Sequence, residues 1–92
     1  MDAKQAIAMA KQYVGTLFAD DGARNIGLEE LRFDGDRAHW LVTIGFTRAW
    51  DGPQGLARWS MEGTPLPRTF KTVEIDDANE RVVNLSHWPK AA

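Results

Sequence analysis

The stretch RAHWLVTIGFTRAW, residues 37–50, alternates with a period of two. Trp40, Val42, Ile44 and Phe46 fall on one side, and His39, Leu41, Thr43, Gly45 and Thr47 on the other. A large apolar residue at every second position is the mark of a β-strand that lays one face on a core. The same period recurs on both sides of it. Upstream, GLEELRFD (27–34) places Glu29, Leu31 and Phe33 on one face, and Gly35-Asp36 between the two runs signals a hairpin. Downstream, RTFKTVEID (68–76) sets Val73 and Ile75 against Phe70 and Thr72. Asp77-Ala78-Asn79-Glu80 turns the chain, and RVVNLSHW (81–88) returns. There the alternation predicts Val83, Leu85 and His87 inward and Val82, Asn84, Ser86 and Trp88 outward.

Residues 3–19 follow a different period. Ala3, Ala6, Ile7, Ala10, Tyr13, Val14, Leu17 and Phe18 share one side of a helix. Asp2 is a good N-cap, with Gln5 placed to complete a capping box. Gly22, after Asp20-Asp21, is a left-handed stop. Gly15 weakens the helix relative to alanine. The expected fold is therefore α+β: one N-terminal helix on a four-stranded antiparallel sheet, in the order α-β-β-long connection-β-β. One helix covers one face only. The other carries Leu41, Thr43, Thr47, Phe70, Thr72 and Val82, which is apolar enough to call for a cover.

Composition narrows the function. A chain of 92 residues is expected to form a single domain, 1–92, with a modest core. The net charge of −2 argues against a general nucleic-acid binder, whose affinity rests on neutralising phosphates. The chain has no cysteine, which removes disulfides, thiol catalysis and thiolate metal sites and fits a reducing cytoplasm, the expected location. No apolar run reaches the roughly 20 residues that span a bilayer. MDAKQAIAMAKQY, at the N-terminus, reads as helix rather than signal peptide, because Lys11 breaks its apolar run.

FKTVEIDDANERVVNL, residues 70–85, resembles the last hairpin of PepSY-type domains. Phe70, Val73, Ile75, Asp76, Val82 and Val83 fit that pattern. Glu80 stands where the family usually has glycine, which leaves Asn79 to take any left-handed conformation. The helix and first hairpin are similar to the wider cystatin-like layout. The whole chain is also similar to a group of small bacterial proteins with a GLEE, a TIGF and a KTVEIDD strand. The resemblance implies a binding or inhibitory module and carries no catalytic motif. QGLAR (54–58) is not the cystatin Gln-x-Val-x-Gly loop, so protease inhibition is not implied.

Nor do the residues themselves assemble a catalytic centre. His39 and His87 are too few for a structural zinc site. Glu29 and Glu30 are adjacent on a strand and face opposite sides, so they cannot act as an acid–base pair. Asp20-Asp21 and Asp76-Asp77 read as a helix stop and a turn. Ser60 and Ser86 lack a nucleophile motif, and GPQG lacks the ending of a phosphate loop. No catalytic residue, metal or cofactor is expected.

One stretch combines opposites. AWDGPQGLARWSMEGTPLPR, 49–68, mixes prolines and glycines with Trp50, Leu56, Arg58, Trp59 and Met61. Tryptophan, methionine and arginine are enriched at interface centres, and long connections are often functional. These five residues are the expected partner contacts; folding back as a lid on the core is the competing reading. With the outer face (Leu41, Thr43, Phe70, Val82), they suggest a non-enzymatic protein-interaction module: an accessory, inhibitor or immunity-type protein, or a homodimer through that face. The alternative is a small-ligand binder or minimal enzyme with a pocket between helix, sheet and loop. Against it, the expected core face lacks convergent polar groups.

Overall fold

The computed structural model describes residues 1–48 and 68–88. Helix α1 spans Ala3–Leu17, followed by a short 3₁₀ turn at Ala19–Asp21. The strands are β1 (Arg24–Asp34), β2 (His39–Thr47), β3 (Thr69–Asp76) and β4 (Arg81–His87), forming one antiparallel sheet in the order β1-β2-β3-β4. The expected α+β layout is thus present.

The helix begins and ends for local reasons. Asp2 Oδ1 accepts from the Gln5 backbone N–H, and Gln5 Oε1 accepts from the Asp2 N–H, both at 2.8 Å. This capping box satisfies two donors that the first turn otherwise leaves unpaired. Gly22, at φ 71°, makes the left-handed exit. Ala6, Ala10 and Val14 form a fully buried line along the helix. Their small side chains let the helix lie close to the sheet, where Val42, Ile44, Phe46, Val73 and Ile75 complete the core. At Gly15 an added Cβ would stand 3.4 Å from Ile26 Cδ1, an ordinary packing contact, so the structure gives no steric reason for the glycine. Leu17, expected in the helix stripe, is 52% exposed.

Period two holds through β2 and β3 and slips in the two edge strands. Opposite β2, Leu28 pairs with Ile44 and Glu30 with Thr43, so Glu29 is an extra residue. Opposite β3, Asn84 pairs with Glu74 and Val82 with Ile75, so Val83 is extra. A bulge of this kind reverses the alternation beyond it. Val82 therefore packs on the core, not on the outer face as the alternation implied, while Val83 is 41% exposed rather than inward.

The two hairpin turns share one design. In each, an aspartate at the strand end accepts two backbone N–H groups: Asp34 from Asp36 and Arg37, Asp76 from Ala78 and Asn79. Each then closes through a left-handed residue, Ala38 at φ 56° and Glu80 at φ 51°. Glu80, not Asn79, takes the left-handed position; the Asn79 side chain instead donates to Asp76 Oδ2 at 2.7 Å.

Hydrogen bonds from the Asn79 side chain and backbone, aided by Ala78 and the charge of His39, hold the Asp76 carboxyl below the usual carboxylate range. A depressed folded pKa contributes stability above the unfolded value, near 3.9, and loses it as pH falls through the lower folded value. Asp76→Ala is therefore expected to destabilise at pH 7, with the gap to wild type narrowing by pH 3. Urea unfolding of both proteins at the two pH values checks this. An equal gap at both would show that the carboxylate charge is not what holds the turn.

Candidate binding surface

The sheet face away from the helix is built from cross-strand rows. Register sets Arg32, Leu41, Glu74 and Asn84 side by side, and below them Glu30, Thr43, Thr72 and Ser86. Side chains in such a row stand about 5 Å apart and act as one surface. Of these, Arg32, Leu41, Thr72, Glu74, Asn84 and Ser86, with Trp88, line an open groove of about 260 Å³.

The walls are held from behind. The hydroxyls of Thr43 and Thr72 are 2.9 Å apart, so these two buried polar groups satisfy each other. His39 Nδ1 donates to Glu74 Oε2 at 2.5 Å, and Arg37 approaches the same oxygen at 3.7 Å. Glu74 thus enters the groove already compensated. Phe70 meets Trp88 edge-on at 5.5 Å, and the Trp88 backbone N–H donates to the Phe70 carbonyl at 3.1 Å. Beneath Phe70 lies Gly45, whose missing side chain makes room for the ring. The Asn84 and Ser86 side chains, by contrast, make no hydrogen bond among the described residues. They present a free amide and a free hydroxyl at a spacing of two along β4.

Of the expected outer-face residues, Leu41 lines the groove, Thr43 lies buried beside it and Phe70 braces Trp88. Val82 is on the opposite side. Trp50, Leu56, Arg58, Trp59 and Met61 lie outside the described residues. Arg48, just before that stretch, has internal work: its guanidinium lies 5.5 Å from the Phe18 ring and 5.8 Å from that of Phe46, and donates to Thr69 Oγ1. Alternation alone places Asn84, Ser86 and Trp88 outward but says nothing of the concavity they share with Arg32 and Glu74. That convergence depends on registers across four strands.

Elsewhere, the Trp40 indole N–H donates to Asp77 Oδ1 at 2.9 Å, which occupies its one polar atom. Among the described residues, no three His, Asp or Glu side chains come together as a metal site. No described helix is long and apolar enough to cross a membrane. Neither a protein-family model nor a curated protein nor a solved structure matches the chain.

Proposed function

We propose that the protein is a non-enzymatic recognition module that docks a protein partner on its outer sheet face, in the manner of an accessory, inhibitor or immunity-type protein. The observation that carries this reading is the braced groove. Leu41 and Trp88 supply apolar area among polar groups, and Asn84 and Ser86 keep their hydrogen-bonding capacity for something outside the chain. Preformed walls lose little entropy on binding. An apolar centre with a polar rim is the common build of a protein interface. The 49–68 stretch, by its composition, adds Trp50, Leu56, Arg58, Trp59 and Met61 to the same task.

The test is a photo-crosslinking residue at Ser86, with one at Lys4 on the helix as control. The expected result is a discrete partner captured from the host at Ser86 only. Leu41→Lys in the same protein should then weaken capture by on the order of 2 kcal/mol, a hot-spot magnitude, with the melting temperature little changed. Equal capture at both sites, or capture indifferent to Leu41→Lys, would sink the proposal.

A second reading, a small-ligand site, draws on the volume of the same groove, which sits just under the usual range of roughly 300–1,000 Å³. It places the pocket on the outer face. The interior between helix and sheet is occupied by Ala6, Ala10, Val14 and the β2 and β3 core residues.

A further inference from the structure

We propose that β1 pairs with β1 of a second copy, with a two-fold axis through Leu31, so that two sheets join into one of eight strands. β1 is an edge of the sheet, hydrogen-bonded to β2 alone in the described strand order. Such an edge offers a row of backbone donors and acceptors to another strand. Two apolar side chains on its helix-side face are left exposed, Leu28 at 41% and Phe33 at 48%. On the outer face stand Glu30 and Arg32, ion-paired at 3.0 Å, with side chains 42% and 63% exposed.

Charges on an edge usually block self-pairing, because antiparallel copies bring like to like. The order of these charges reverses that in one register. With Leu31 opposite Leu31, Glu30 of each copy faces Arg32 of the other, twice. Phe33 of each copy stands diagonal to Leu31 of the other, within reach across the pair. Moving the axis by one residue within the regular stretch 30–34 fails. Centred on Glu30, the two glutamates oppose each other; centred on Arg32, the two arginines do, and Glu30 meets Asp34. In the Leu31 register residues 30–32 of the two copies pair directly, and Phe33 stands opposite Glu29, the extra residue of the bulge. The joined sheet carries both helices on one face and both grooves on the other, with Arg32 at the junction.

Sedimentation velocity over a range of concentrations tests the proposal on the intact chain. Wild type is expected to dimerise with concentration, less so at high salt. Glu30→Arg and Arg32→Glu should each raise the dimer dissociation constant by about tenfold or more, since two attractive pairs become repulsive. The double exchange Glu30→Arg/Arg32→Glu should restore the dimer. An equimolar mixture of the two single variants should form a heterodimer, because each supplies the charges the other lacks. Both residues are exposed, so circular dichroism should remain that of wild type. A wild-type monomer at every concentration would overturn the proposal. So would a double exchange that stays monomeric, or a dimer broken by Leu41→Lys on the outer face but indifferent to the charge of residues 30 and 32.

Discussion

Replacing Phe46 by alanine is expected to cost about 3–5 kcal/mol, the range for emptying a buried phenylalanine site. Phe46 is fully buried at the end of β2. Its ring lies 5.0 Å from that of Phe18, where the helix gives way to the 3₁₀ turn, and Arg48 caps the pair. The void would therefore open at the joint between helix and sheet and remove one of the two rings the Arg48 guanidinium lies over. A domain of this size holds roughly 5–15 kcal/mol in all. At about 4–8 °C per kcal/mol, the melting temperature should fall by on the order of 15–30 °C. Phe46→Leu, which keeps most of the volume, should lose much less. A scanning calorimetry trace for each variant checks both, and a drop below about 1 kcal/mol for the alanine would mean that the helix is not seated on Phe46.

The second large effect concerns a side chain that is absent. Gly45→Ala would place a Cβ 2.8 Å from Phe70 Cε1 and 3.2 Å from Arg68 Nε. Glycine in a strand interior costs roughly 0.5–1 kcal/mol of backbone entropy relative to alanine, so substitution would stabilise if the space were open. Overpacking costs about 1–3 kcal/mol, and Phe70 cannot yield freely while Trp88 rests against it. Overpacking wins, and net destabilisation of about 1–2 kcal/mol is expected. A double-mutant cycle isolates the cause. In a Phe70→Ala background the same change should become neutral or stabilising, while an unchanged cost there would place the clash elsewhere. Near-ultraviolet circular dichroism should report the disturbance at Trp88 as well.

How much of this was readable from the chain depends on whether a feature is local. The capping box at Asp2 and Gln5 and the stop at Gly22 are short-range events written in side-chain types. The alternation of β2 and β3 is equally direct, because these two central strands run without interruption. Apart from Leu17 at the helix end, the departures fall where a backbone event has no side-chain signature. The extra residues at Glu29 and Val83 are set by how edge strands meet their neighbours, and Val-Val at 82–83 gives no clue which one turns inward. Glu80 takes a left-handed conformation because the four-residue turn demands it there, whatever residue stands at the position. The groove is the least local feature of all. Alternation marks Leu41 as an outward apolar residue, but Arg32, Glu74 and Asn84, which share its row, come from three other strands and meet only through register.

The order of the strands also bears on how the chain can change length. β1 with β2, and β3 with β4, are joined by tight turns, whereas β2 and β3 meet along the ladder from His39–Asp76 to Phe46–Thr69 although residues 48–68 separate them in sequence. Their pairing owes nothing to a tight turn. In the unfolded chain that segment enters the balance as a closure entropy, which grows only with the logarithm of its length. Doubling it would cost about 0.6 kcal/mol, less than any single core truncation considered above. In closure entropy alone, then, the joint between the two hairpins can lengthen at little cost.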